Sequence, residues 1–262
     1  MPNLKVYCFF ILSLLGLNAR CAQVITAAEQ TAKYLPLLKN KRIALVVNQT
    51  STIKNTHLVD SLLHLGVKIK CLFAPEHGFR GNASAGTTVN NGRDEKTNLK
   101  IISLYGNHKK PTVSDLDSVE AIVFDIQDVG VRFYTYISTM HYVMEAAAEQ
   151  NIPVIILDRP NPNGHYIDGP MLDTVYRSFV GMHKIPLVHG CTVGEMAQMI
   201  NGEAWLKNGI KCELKVITCL NYTHKTPYIL PIKPSPNLQT QSSIYLYPSL
   251  GLFEGSSISM GQ

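Results

Sequence analysis

Apolar residues in this chain recur in two rhythms. Short, almost unbroken aliphatic runs occupy Arg42–Val47, Val67–Phe73, Lys100–Leu104, Ala121–Phe124 and Pro153–Leu157, each closed by polar or turn-forming residues. Between several of these runs the period becomes helical. Thr56–Leu65 places Leu58, Leu62 and Leu65 on one face and then meets Gly66, which ends helices because it adopts left-handed backbone angles without strain. Ser138–Gln150 repeats apolar residues at helical spacing, and Thr192-Val-Gly-Glu195 has the form of a capping box opening a helix through Ile200. Strands that are apolar on both sides need cover on both sides. Their alternation with amphipathic helices predicts an α/β domain, a parallel sheet with helices on both faces. Beyond Asn201 the pattern loosens, and Pro227, Pro231, Pro234 and Pro236 divide the chain into loops.

Ligands of open α/β sheets lie beyond the carboxyl ends of the strands, near a switch in strand order. Following each predicted strand to its end gives Asn48-Gln49-Thr50-Ser51, Glu76-His77, Asp125-Ile126-Gln127-Asp128 and Asp158-Arg159-Pro160-Asn161. Carboxylates, amides and cations thus converge on one edge, which predicts a cleft there. Each residue also has a purely structural explanation. Asp125 or Asp158 suits a helix cap or a loop brace, Arg132 suits an ion pair, Tyr134-Thr135-Tyr136 suits packing, and His77 suits a satisfied loop. Their joint occurrence is what points to a site.

Composition narrows the chemistry. With 262 residues and 45% hydrophobic content the chain can bury a full core. Its net charge of +5 comes from scattered Lys and Arg, so no basic stripe suggests a nucleic-acid partner. The sequence has no Gly-x-Gly-x-x-Gly after its first strand, no triphosphate-binding loop and no Gly-x-Ser-x-Gly elbow. It also has no Cys-x-x-Cys and no His-Glu-x-x-His, so neither a metal nor a cofactor is expected. Acid–base chemistry by carboxylates, with amides and hydroxyls as hydrogen-bonders, remains. That is the equipment of a sugar-processing cleft.

The amino terminus reads as a secretory signal over residues 1–22: Lys5, an apolar run from Val6 to Leu17, then small and polar residues before Gln23. The run is short for a bilayer span, so a periplasmic or extracellular protein with no membrane span is expected. Cys21 offers a lipoprotein alternative that Arg20, directly before it, fits poorly. Export permits disulfides, and of Cys71, Cys191, Cys212 and Cys219 the expected pair is Cys212 with Cys219. Cys71, inside a strand, suits a small buried hydrophobe.

Several long blocks carry a resemblance: APEHGFRG (74–81), DIQDVGVRFYTYISTM (125–140), LDRPNPNG (157–164), SFVGMHKIPLVHGCTVGEMA (178–197), PSPNLQT (234–240) and YPSLGLFEGSSIS (247–259). In this order they resemble the exo-β-N-acetylmuramidase family called NamZ, from about residue 40 to the end. The resemblance implies an exported glycoside hydrolase that releases N-acetylmuramic acid from the non-reducing end of peptidoglycan fragments, its partners being saccharides or muropeptides. It also implies a Rossmann-like catalytic domain over 23–240 and a smaller C-terminal domain, with the cleft between them. Family members continue into a Gly-Arg-Gly-Thr run where this sequence reads Ser259-Met260-Gly261-Gln262, so 241–262 is expected to be the start of a largely missing C-terminal region.

The glutamate of the family's PEHG block is its proposed catalytic carboxylate, here Glu76. Glu76 is assigned the general acid role, with His77 and Tyr134 tuning it by hydrogen bonds. Asp128 is the first candidate for the second group and Asp125 the next. The lactyl carboxylate of N-acetylmuramic acid calls for a cation, with Arg80, Arg132 and Arg159 as candidates. Asn48, Gln127, Asn161 and Asn237 are candidates for ring hydroxyls or the acetamido group, and Glu254 is either a cleft residue or structural. A non-catalytic muropeptide-binding protein, or a hydrolase of amide or ester linkages in the same fragments, are the alternatives.

Overall fold

The structure is a computed structural model that describes residues 23–80, 91–253 and 256. One sheet holds β1 (Arg42–Val47), β2 (Lys68–Ala74), β3 (Gly92–Arg93), β4 (Lys100–Ser103), β5 (Ala121–Asp125), β6 (Val154–Leu157) and β7 (Leu214–Ile217). Its spatial order is β3-β4-β2-β1-β5-β6-β7, parallel throughout except where the two-residue β3 runs against β4. Without β3, the six parallel strands in order of appearance run 3-2-1-4-5-6. That is the doubly wound arrangement in which the chain builds outward from one strand, returns, and builds the other way. The reversal falls between β1 and β5, whose ends meet where Val47 pairs with Asp125.

The helices are α1 (Thr31–Leu38), α2 (Leu58–His64), α3 (Tyr136–Glu149), α4 (Val193–Gly202) and α5 (Gln241–Leu246). Successive strand residues point to opposite faces, and each face has its own helices. Ile43, Leu45 and Val47 pack with Tyr34 and Leu38 of α1 and with Leu58 and Leu62 of α2. Ala44 and Val46 pack with Met140 and Met144 of α3 and with Met196 and Ile200 of α4. This two-sided burial is why the strand sequences show no polar alternation. Each fully buried aliphatic side chain contributes about 1.5–3 kcal/mol, so the sheet is held from both sides.

Several boundaries differ from expectation. Thr56 and His57 pair antiparallel with Thr52 and Ile53 in a small ribbon, so α2 begins at Leu58, capped by His57 Nδ1 accepting the Val59 N–H at 3.2 Å. The box opening α4 forms as predicted: Thr192 Oγ1 accepts the Glu195 N–H at 3.2 Å and Glu195 Oε2 accepts the Thr192 N–H at 2.8 Å. α1, which carries Pro36 inside it, and β7, whose residues are mostly half-buried or exposed, had no clear sequence signal.

The expected Cys212–Cys219 bridge is corrected: Cys71, Cys191, Cys212 and Cys219 are all free thiols. β7 lies between Cys212 and Cys219, and its four extended residues alone span roughly 10 Å, whereas a disulfide needs the two α-carbons within about 7 Å. Cys219 instead donates its S–H to the Asp158 carbonyl at 3.3 Å. Cys71 is buried on the α3 side, as expected.

α5 and the turn after it pack on the same core as α3. Ile244 is buried there, and the Tyr247 ring meets Phe133 edge-on at 4.8 Å between centroids. Among the described residues no helix is long and apolar enough to cross a membrane. The expected signal at 1–22, Gly81 of the APEHGFRG block and Glu254 lie outside the described residues.

Candidate active site

The strand ends form one polar edge, and each acid there meets a different kind of partner. Asp125, the last residue of β5, is fully buried. The Arg159 guanidinium grips it with two bonds, Nε to Oδ1 at 2.6 Å and Nη2 to Oδ2 at 2.8 Å. Burial pulls the Arg159 pKa down, and the Asp125 charge beside it holds it above its ordinary value. Arg159 also donates to the Thr52 carbonyl at 3.1 Å, and Ser51 Oγ donates to the Asp125 carbonyl. The pair therefore locks the switch point between β1, β5 and β6.

Asp158, after β6, serves α4. Its carboxylate accepts N–H bonds from Gly194 at 2.8 Å and Arg159 at 3.0 Å, and the Thr192 hydroxyl at 2.9 Å. Burial outweighs these donors and pushes its pKa up to about 6. No side chain fits at position 194, where an added Cβ would lie 2.7 Å from Asp158 Cγ.

The amides tie loops together. Asn48 Oδ1 accepts the Thr50 N–H at 2.9 Å and its hydroxyl at 2.5 Å, an Asx turn that folds the chain back after β1. Gln127 Nε2 donates to the Asp128 and Pro160 carbonyls, both at 2.7 Å. Asn161 donates to the Cys191 carbonyl at 2.9 Å and accepts the Asn163 N–H at 2.8 Å. Asn237 is half-buried in the proline-rich loop, with its N–H on Ser235 Oγ at 3.3 Å. Gln49 at 3.0 Å and the Tyr134 hydroxyl at 2.8 Å both donate to the Pro234 carbonyl and bind that loop to the strand-end edge. Tyr134 is buried, and burial raises its phenol well above the ordinary range.

Glu76 stands apart. It is half-buried just past β2, in a turn where His77 takes a left-handed φ of 69° and Gly78 one of 77°. Its Oε1 accepts the Tyr105 hydroxyl at 3.0 Å and its Oε2 the Thr135 hydroxyl at 3.4 Å, while Tyr136 OH reaches its backbone carbonyl at 3.5 Å. Burial first, and then the neighbouring Glu76 charge, push the Tyr105 phenol up to about 12, so it stays a donor. Tyr136 opens α3, and its buried phenol feels the charges of both Glu76 and Asp128. The two carboxylates therefore border one neighbourhood. His77 is buried.

Asp128 is also buried. Its Oδ2 accepts the Gly130 N–H at 2.7 Å and lies 3.4 Å from His189 Nε2, while Oδ1 has no hydrogen-bond donor. Of the candidate cations, Arg80 binds the Asp94 carboxylate two-pronged, at 2.8 and 3.0 Å from Nη2, and stacks on Phe79. Its fork is thus occupied, like that of Arg159. Arg132 is half-buried and donates through Nη1 to the carbonyls of Pro170 at 2.8 Å and Ile185 at 2.6 Å. Burial alone lowers its pKa, with no acid opposing it.

Tyr105, Thr135, Tyr136 and His189 are the polar neighbours that sequence reasoning did not select. Tyr105 had a signal: it follows a predicted strand, just as Glu76 does.

The family model described as "Exo-beta-N-acetylmuramidase NamZ, N-terminal" matches residues 43–242. A curated Bacillus subtilis protein named peptidoglycan beta-N-acetylmuramidase NamZ is 46% identical over 241 residues, covering 87% of this chain and 56% of the relative. Two crystal structures of DUF1343 family proteins from Bacteroides fragilis share the fold. One is 51% identical with a TM-score of 0.82, covering 90% of this chain and 63% of its own. The other is 37% identical with a TM-score of 0.81, covering 88% and 60%. The chain thus spans a little over half the length of the curated relative and about three fifths of the solved ones. A match over most of the chain, together with a shared sheet architecture, makes this protein a member of the NamZ family, matching its N-terminal region.

Proposed function

We propose that this chain carries the sugar-cleaving site of an exported peptidoglycan glycosidase that releases N-acetylmuramic acid from the non-reducing end of wall fragments. The name of the Bacillus subtilis relative supports the substrate class, and the leader-like sequence over 1–22 supports export. The observation that carries the chemistry is how Glu76 is held. A general acid must exist both with and without its proton. A hydroxyl serves both states, donating to the carboxylate and accepting from the acid, and Glu76 meets hydroxyls from Tyr105 and Thr135. Asp125, clamped by a guanidinium that only donates, has no such freedom.

Glu76 then protonates the bridging oxygen as the glycosidic bond breaks, and Asp128 rather than Asp125 serves the opposite side of the sugar. Arg132 is the cation for the lactyl carboxylate, because Arg80 and Arg159 are already paired with Asp94 and Asp125. In the full-length protein, Glu76→Gln is expected to lower turnover of a chromogenic N-acetylmuramic acid glycoside by about 10²–10⁴-fold with the fold intact. Near-normal turnover removes Glu76 from the mechanism. Calorimetric titration with N-acetylmuramic acid, alongside, separates this reading from a binding protein, in which binding occurs without product.

A further inference from the structure

We infer that His189 is a positioning residue for Asp128, fixing the carboxylate through its Oδ2 so that Oδ1 is the oxygen that exchanges a proton with the reacting water or sugar. The inference rests on the glycosidase reading and adds to it a residue outside the strand-end edge. Three backbone bonds set the geometry. His189 N–H donates to the Gly130 carbonyl at 3.1 Å, Arg132 N–H to the Leu187 carbonyl at 2.8 Å, and Val131 bridges Val188 antiparallel. The loop bearing Asp128 is thereby stapled to the loop bearing His189.

The ring is oriented as firmly as the backbone. The Cys191 N–H donates to His189 Nδ1 at 3.2 Å, so Nδ1 is an acceptor and the ring proton sits on Nε2. That nitrogen stands 3.4 Å from Asp128 Oδ2 without hydrogen-bond geometry and has no other partner, and the Gly130 N–H already holds the same oxygen at 2.7 Å. Both residues are almost wholly buried. The Gly130 N–H anchors that oxygen and the imidazole stands beside it, while the other oxygen meets no donor.

The titratable groups around the pair are held neutral. Tyr134, Tyr136 and Cys191 face Asp128, and burial raises all three, the thiol to about 11, so they stay neutral at working pH. His183 faces His189, and burial followed by the neighbouring His141 and Arg177 charges lowers it to about 3, so it is neutral there too. The nearest fixed charge on the Asp128 loop is Arg132, which turns to the carbonyls of Pro170 and Ile185.

The test uses the full-length protein with three variants: His189→Leu, His189→Gln and Asp128→Asn. Leucine keeps the volume and removes the donor, whereas glutamine places an N–H near the Nε2 position. His189→Leu is expected to lower kcat by about 10–100-fold with KM little changed, His189→Gln to restore much of it, and His189→Leu to add no further loss in an Asp128→Asn background. Side-chain nitrogen NMR is expected to show the neutral Nε2–H tautomer for His189. Unchanged kcat in His189→Leu, additive losses in the double variant, or an Nδ1–H tautomer each overturns the inference. If Glu76→Gln abolishes turnover while His189→Leu does not alter it, the positioning role fails and the glycosidase reading stands. If Glu76→Gln leaves turnover normal, the underlying reading itself has failed. Should His189→Leu not fold, His189→Gln and the NMR signature still decide the matter.

Discussion

Replacing Asp158 by asparagine tests how the molecule balances burial against hydrogen bonding at the α4 terminus. Three donors favour the charged carboxylate, and the helix N-terminus behind them favours it further. Burial opposes them and wins, helped by the nearby Glu195 charge, leaving the pKa at about 6 against an ordinary 3.8. The two-unit rise corresponds to about 3 kcal/mol. Its sign follows from proton counts. Between the two values the native protein holds a proton that the unfolded chain has lost, so stability falls as pH rises through that window. The contribution is whole below the unfolded value and gone above the folded one. Asparagine keeps an oxygen for the Gly194 N–H but cannot ionise. Urea unfolding of both proteins from about pH 4 to 7 should therefore show wild type losing about 3 kcal/mol relative to Asp158→Asn. A flat difference would mean that burial and the donors cancel. A difference of opposite slope would mean the α4 amides dominate, and the reasoning would be refuted.

The buried Asp125–Arg159 pair makes a second prediction: Arg159→Met leaves an uncompensated carboxylate and should cost about 3–5 kcal/mol in urea unfolding, and adding Asp125→Leu should recover much of it. Gly130→Ala imposes a Cβ at φ +79°, only 2.4 Å from Asn161 Oδ1. It should cost about 1–2 kcal/mol for the backbone alone, read as a lower thermal midpoint, and should reduce turnover because Gly130 holds Asp128.

The parallel core was legible because burial on two faces writes itself as unbroken aliphatic sequence. β1, β2, β5 and β6 lie close to where the pattern placed them, and the fold class follows from them. β7 was not legible: only Ile217 among its four residues is fully buried, so Leu214-Lys-Val-Ile resembles any mixed segment. The polar strand-end edge was legible as a location. The rule that collected Asn48, Glu76, Asp125 and Asp158 at strand ends applies equally to Tyr105, one residue past the predicted run Lys100–Leu104. Pairings were beyond its reach. Arg80 finds Asp94 fourteen positions on, and Arg159 finds Asp125 across the sheet, by three-dimensional closeness that has no periodic trace. His189 lies in an irregular loop and left none either.

Those pairings decide which acid is fit for chemistry, because every carboxylate on this edge solves the same burial problem with different donors. A buried guanidinium, which can only donate, clamps both oxygens of Asp125. Backbone amides hold Asp158, whose protonation alters the seating of a helix and so shows in stability rather than turnover. The Gly130 amide holds one oxygen of Asp128, with the His189 ring 3.4 Å from it. The hydroxyls at Glu76 reverse their roles by rotating a single bond, so a proton can leave and return there without rebuilding the neighbourhood. Under the glycosidase reading proposed above, the acid that changes state at every turnover is assigned to Glu76, the one of these four positions whose described donors tolerate both.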